Sequence, residues 1–263
     1  MRSNASKATL AFDCEEVVFC GISTVFPTVP SDLILRIIAI ETSERVGTLA
    51  ALRAQGSDVE LIDAAELPDD QRTAQSLLPT LDELLKRCGW KPCDLELICV
   101  TAGPGSFTGL RLGNTTAKTL AYATEAELVG VATLAAIAAN VEADDGRLWT
   151  ILDAQRQELF AACFKPGWSI QEHDLPRTQI LGIEDWLNQL QSGDFVAGPP
   201  LAKLRARLPA GVEAVDSQLW KPRAAMVGRL GFFGHQQGQG VDPMQLVPNY
   251  YRQSAAEEKA ERE

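Results

Sequence analysis

The sequence predicts an α/β protein built from two related halves, and three observations predict it. An apolar strand, Leu97 to Thr101, runs into a glycine-rich turn, Ala102 to Gly113, that opens a helix. Strand ends that turn into helix starts are where α/β proteins meet ligands. A polar stretch with Gly146, Glu142 to Arg147, interrupts the chain near its middle. Beyond it the strand–turn–strand opening of the first half is repeated.

In the first half, strand one is the apolar run Leu33 to Ile40, broken by Arg36. A turn over Glu41 to Gly47 leads to strands at Thr48–Leu52 and Val59–Ile62, an antiparallel meander. Leu77, Leu78, Leu81, Leu84 and Leu85 recur at helical spacing and predict a helix over 74–88. Gly89 stops it and Pro92 confirms the break. After the glycine-rich turn a helix is expected to about Ala123, then a short strand at Val129–Val131. Thr133 is expected to cap a further helix through Asn140.

The second half is expected to hold strands at Leu148–Leu152 and Glu158–Phe164 around a turn at Asp153–Gln157. A helix near Glu184–Gln191, a strand at Phe195–Ala197, and helices over 200–207 and 224–236 follow. Ser254 to Glu263 is a charged tail expected to be disordered. Residues 1–32 read as a loosely ordered extension, or as sequence ahead of the true start. The expected division is therefore 1–32, 33–142, 143–253 and 254–263.

The 263 residues carry 24 Lys and Arg against 35 Asp and Glu, a net charge of −11. Such a surface argues against gripping nucleic acid unaided, which needs cations against phosphates. A more basic partner could still bring the chain to RNA. No apolar run approaches the ~20 residues of a membrane helix. Asp13, Glu15 and Glu16 fit poorly with a signal peptide, so a cytoplasmic protein is expected. The six cysteines form no CxxC pair, and Cys99 and Cys163 fall in apolar strands, as buried free thiols do. His173 and His235 are the only histidines and have no HxxxH spacing, so no metal site is expected.

The glycine-rich turn is not a Walker A loop, because no Gly-Lys-Ser/Thr follows. It is not the dinucleotide fingerprint, because Thr108 stands where a third glycine belongs. It is not a nucleophile elbow, because Phe107 sits at the centre of Gly105–Gly109. Ser106 reads as a helix cap, and no nucleophile, base and orienting group gather in the sequence, so no catalytic residue is assigned. In the helix that follows, Gly109, Gly113, Ala117 and Ala121 recur every four residues. Interior glycines cost a helix about 1 kcal/mol each, a cost offset where another backbone comes close. That backbone is either the chain's own or a second subunit's. The five leucines of the preceding helix cover more than one face, which favours a second subunit. Glu41, Thr42 and Ser43 end the first strand and, with Gly105 and Ser106, are candidate contacts to a phosphate or nucleotide, although the same residue types make plain turns. Arg156, in the corresponding turn of the second half, could meet a phosphate or a partner carboxylate.

These segments resemble one family. Ile37-Ile38-Ala39-Ile40-Glu41-Thr42-Ser43, the run Gly103 to Gly113, Gly130 to Leu134, Leu152 to Phe160 and Pro248-Asn249-Tyr250-Tyr251-Arg252 are similar to segments of the TsaB (YeaZ) family, over about residues 34–253. The resemblance implies an actin/Hsp70-like (ASKHA) fold of two subdomains, the second reduced. It implies a non-catalytic partner of TsaD in transferring a threonylcarbamoyl group to the adenosine beside the anticodon of tRNAs that read A-starting codons. It implies a heterodimer with TsaD, contact with TsaE and nucleotide, a homodimer through the same helices, and tRNA contact only through partners. ATP or ADP is then a candidate ligand at the junction with TsaD. The implied pairing helices are 74–88 and 108–123, with Leu77, Leu78, Leu81, Leu84, Leu85, Gly109, Leu112, Gly113, Thr116, Ala117 and Leu120 as interface candidates. Glu41 departs from the family's aspartate, and the extension before Leu33 lies outside its pattern. The competing expectation is an independent enzyme, an ASKHA ATPase or kinase or a metallopeptidase-like protein.

Overall fold

The computed structural model describes residues 34–142, 145–172 and 174–251. The amino-terminal extension, the charged tail and Arg252 lie outside the described residues.

Strands β1 (Ile34–Glu41), β2 (Thr48–Gln55) and β3 (Asp58–Glu66) form the expected meander. Helix α1 (Thr73–Cys88) leads to β4 (Leu97–Gly103), and α2 (Phe107–Thr124) leads to β5 (Glu127–Ala132). The first sheet runs β3-β2-β1-β4-β5, with β1, β4 and β5 parallel. After the short α3 (Thr133–Ala138) come β6 (Leu148–Asp153), β7 (Glu158–Phe164) and β8 (Gln179–Gly182). Then follow α4 (Ile183–Leu187), β9 (Phe195–Ala197), α5 (Leu201–Leu204), β10 (Glu213–Ala214) and α6 (Ala224–Gln236). Read from β8, the second sheet is β8-β7-β6-β9-β10, the order and strand directions of the first sheet over again. The helices α4 and α5 hold the chain positions of α1 and α2 but are much shorter.

Strand β1 is apolar from Ile37 to Ile40 because both faces of its sheet are covered there. Ile38 and Ile40 face the leucines of α1 and the alanines of α2. Leu35, Ile37 and Ala39 face the opposite layer, with Val227 and Phe232 of α6. Glu41 closes this strand, where the sequence reading put it in the turn. Helix α1 ends in a Schellman arrangement. Gly89, at φ 68°, donates to Lys86 O at 3.1 Å and the buried Trp90 donates to Leu85 O at 2.9 Å. At α2 the Ser106 hydroxyl accepts from Gly109 N at 3.3 Å, the expected cap.

Three local expectations are corrected. Thr133 is the first residue of α3, not its cap, and its hydroxyl is buried without a partner. The helix near 184–191 is short, Ile183–Leu187 continued by turns, while that over 200–207 is helical as expected but tightens from an α-helix into a 3-10 helix at Arg205–Arg207. The split at residue 142 misplaces α6, which follows the second sheet in sequence but packs on β1, β2, β4 and β5. Helix α3 makes the reverse crossing: it follows β5 and fills the core of the second sheet beside Leu148, Leu152 and Phe160. Each half therefore lends its last helix to the other.

Candidate functional site

The ends of β1 and β4, the β6–β7 turn and the chain after α6 enclose a cleft of about 580 Å³ between the halves. Ser43, Glu44 and Arg45 line it from one turn, and Gly105, Ser106 and Phe107 from the glycine-rich loop. Asp153, Ala154 and Gln155 line it from the second half, and Asn249, Tyr250 and Tyr251 from the returning chain. Its size suits a small-molecule site.

The first turn is tied inward. Glu41 is fully buried and does not line the cleft. Its Oε1 accepts from Ser43 N at 2.6 Å and from the Ser43 hydroxyl, while Oε2 is buried without a partner. Burial pushes its carboxyl up to about 7 against the pull of the Ser43 hydrogen bonds. Thr42 is also buried; its hydroxyl donates to Gly109 O at 2.8 Å and its N–H to Thr101 Oγ1 at 3.4 Å. Ser106 N donates to Ser43 O at 2.7 Å, which pins the glycine-rich loop to this turn.

The small-residue stripe packs on this same turn. A Cβ on Gly109 would lie 2.0 Å from Thr42 O, one on Gly113 2.1 Å from Thr42 Oγ1, and one on Gly105 2.5 Å from Ser43 Cβ. Ala117 and Ala121 continue the stripe into the core with α1. The stripe is thus an internal seam, and the second-subunit reading of Gly109, Gly113 and Ala117 is corrected by their own chain's close approach. Leu77, Leu81, Leu84 and Leu85 are likewise buried in the chain's own core. The remaining interface candidates reach the surface: Leu78 is 63% exposed, and Leu112, Thr116 and Leu120 are half-buried. Beside them the outer face of α2 carries Tyr122, 71% exposed, next to Met244, 67% exposed.

Of the phosphate candidates, Ser43, Gly105 and Ser106 border the cleft, and Glu41 and Thr42 do not. The walls carry opposed carboxylates. Burial raises the Glu44 carboxyl, Lys221 pulls it down, and Asp153 of the other half raises it again. Asp153 Oδ1 accepts from Gln155 N at 2.7 Å, and Gln155, Arg156 and Gln157 follow with φ of 61°, 56° and 63°. Three successive left-handed residues without a glycine are a strained turn. Arg156 itself does not border the cleft. Among the described residues no three His, Cys, Asp or Glu side chains gather as a metal site, and no helix is long and apolar enough to cross a membrane.

Sequence reasoning took Pro248–Tyr251 only as a family signature and missed that it forms a cleft wall. Tyr250 packs on Phe107 with centroids 4.8 Å apart, and the Arg111 guanidinium lies 3.9 Å over the Phe107 ring. Tyr251 meets Phe160 of the second half at 5.8 Å. Two adjacent aromatics after a proline, in a polar tract, were the available signal.

Residues 70–182 match the family described as TsaD, tRNA N6-adenosine threonylcarbamoyltransferase. The tRNA threonylcarbamoyladenosine biosynthesis protein TsaB of Bacillus subtilis is 29% identical over 236 residues, 86% of this chain and 97% of that protein. The Escherichia coli protein of the same name is 27% identical over 236 residues, 86% of this chain and 98% of its own length. Among solved structures, a Pseudomonas aeruginosa protein described as similar to peptidase YEAZ superposes with a TM-score of 0.68 at 24% identity, covering 83% of this chain and all of that one. YeaZ from Pseudomonas aeruginosa gives 0.65 at 22% identity, covering 82% of this chain and 99% of its own. The fold shared with these structures is the actin-like one, two sheets of one topology around a cleft. Along nearly the full length of the TsaB relatives, over the TsaD-family match and in the common fold, this chain is similar to the TsaB/YeaZ proteins.

Proposed function

We propose that this chain takes part in forming threonylcarbamoyladenosine in tRNA, as a non-catalytic subunit that docks a TsaD-type transferase. The names of its relatives support the pathway. The inward-tied turn carries the non-catalytic half of the reading: the Glu41 carboxyl and the Thr42 hydroxyl are buried against the chain's own groups, not presented to a phosphate. A turn used to brace α2 is poorly suited to follow a nucleotide through hydrolysis. The docking surface of this reading is what the core leaves uncovered, Leu78 on α1 and Tyr122 on α2 with Met244 beside it. Tyr122 and Met244 line one groove and Leu78 lies on the neighbouring helix, and exposed apolar groups of this kind mark interaction sites. An adenine nucleotide is then held at the junction with the transferase subunit, a TsaE-type protein completes the assembly, and tRNA is reached through these partners. The −11 charge agrees with indirect contact to tRNA.

The test combines the purified chain with TsaD-type and TsaE-type proteins, threonylcarbamoyl-adenylate and unmodified tRNA. Modification is expected to require the chain, while the chain alone hydrolyses no ATP above the rate of a heat-treated control. Steady ATP turnover by the chain alone, abolished by Glu41→Ala in a protein that still folds, would establish the independent-enzyme reading instead. Modification that proceeds equally well without the chain would refute the partner role.

A further inference from the structure

A single stretch after α6, Asp242 to Tyr251, borders both the outer face of α2 and the cleft between the halves. On the α2 side, Pro243 and Met244 wall a groove of about 290 Å³ with Thr115, Lys118 and Tyr122. Leu246, Val247 and Pro248 wall an adjoining groove of about 300 Å³ that shares Thr115 and Lys118. The Lys118 amine clamps this stretch, donating to Leu246 O at 3.0 Å and to Met244 O at 3.4 Å. Leu246 is buried against the first core.

On the cleft side the same stretch crosses from one half to the other. Asn249 N donates to Ala102 O at 2.7 Å, at the end of β4. Tyr250 stacks on Phe107 and its hydroxyl accepts from Arg111 Nε at 3.2 Å. One residue later Tyr251 packs on Phe160, which belongs to the second sheet. Three residues, Asn249 to Tyr251, thus reach from the edge of β4 to β7. Since α2 clamps the stretch at 244–246, its position on one side fixes its position on the other.

We propose that Asp242–Tyr251 is a strap that ties the two halves together across the cleft and links the closure of that cleft to the outer face of α2. Freeing the strap at Lys118 loosens the second-half wall of the cleft, although Lys118 touches no residue of that wall. A body seated against Met244 and Val247 then presses on the element that closes the cleft. The link is a property of the free chain and stands whether or not a transferase subunit is what occupies α2.

Hydrogen exchange followed by mass spectrometry on the full chain tests it, with peptides over 152–160 reporting the second-half wall, 246–251 the strap and 34–41 the core. Lys118→Met keeps the aliphatic stem and removes the donors; Tyr251→Ala removes the ring that meets Phe160; Tyr251→Phe keeps it. Lys118→Met and Tyr251→Ala are each expected to speed exchange over 152–160 and 246–251 by about tenfold, with 34–41 unchanged and Tyr251→Phe at the wild-type rate. Wild-type exchange over 152–160 in Lys118→Met would overturn the link, and wild-type exchange there in Tyr251→Ala would overturn the tie. Acceleration that includes 34–41 to the same degree would also overturn the proposal, since it reports general loosening rather than a local strap.

Discussion

A methyl group placed on Gly109 would bring carbon within 2.0 Å of the Thr42 carbonyl oxygen, a backbone atom held between β1 and α2. Gly109→Ala is therefore expected to lower stability by about 3 kcal/mol, the upper part of the range for overpacked sites, measured by urea unfolding. Thr42→Val removes the hydroxyl that bonds Gly109 O while keeping the branched shape, with an expected loss of about 1 kcal/mol. Glu41 gives a prediction in pH. Its carboxyl sits at about 7 in the folded chain against 4.5 when free, so the folded state binds more protons between those values. Stability contributed at this position falls as pH rises from 4.5 through 7. Glu41→Gln mimics the protonated form, keeping an acceptor for Ser43. It is expected to match the wild type near pH 4.5 and to exceed it by about 3 kcal/mol at pH 8, taking 1.36 kcal/mol per unit. Equal pH profiles for the two proteins would mean that Glu41 is not neutral in the folded chain. The sequence displayed all of these residues but not their orientation. Glu41, Thr42 and Ser43 are the residue types of a phosphate turn and also of a brace. Only the approach of α2 at Gly109 and Gly113 distinguishes them, and that is a contact across more than sixty residues.

The elements most legible in advance were those whose signals are local. The leucine spacing of α1, its stop at Gly89 and the Ser106 cap of α2 each involve neighbours within one turn. Gly89→Ala tests one of them: a Cβ there meets nothing within 4 Å, so the cost is that of a left-handed backbone alone, about 1 kcal/mol. Strands β8 and β10 were not foreseen. Four and two residues long, with half-exposed or exposed side chains, they have no run of alternation to recognise, and pairing with β7 and β9 holds them. The α1 leucines were read as too many for one sheet. They are accommodated because α1 packs on β2, β3 and α2 together, leaving only Leu78 outside.

For the whole molecule, the exposed apolar face gives a pairing prediction. Leu78→Asp and Tyr122→Asp change side chains already in water, so thermal stability is expected to hold while affinity for a TsaD-type subunit falls about tenfold or more, read by titration calorimetry. Gly113→Leu would not report on pairing, because it collides with Thr42 inside the fold. The duplicated topology was visible in sequence as two strand–turn–strand openings, and the repeat of strand order bears it out. The exchange of terminal helices was not visible, because α6 carries the same apolar pattern whichever sheet it covers.

That exchange has a consequence for biosynthesis. The sheet made from the first hundred described residues keeps Leu35, Ile37, Leu52 and Val129 under a helix that begins at Ala224. On the ribosome, the amino-terminal sheet leaves the exit tunnel with one side bare and stays so until most of the remaining chain is made. Contacts so distant along the chain slow folding and lengthen the exposure of sticky intermediates. A chain truncated before Ala224 is therefore expected to expose that face and to collect in the pellet, which expressing it and comparing the soluble and pelleted fractions with those of the full chain checks.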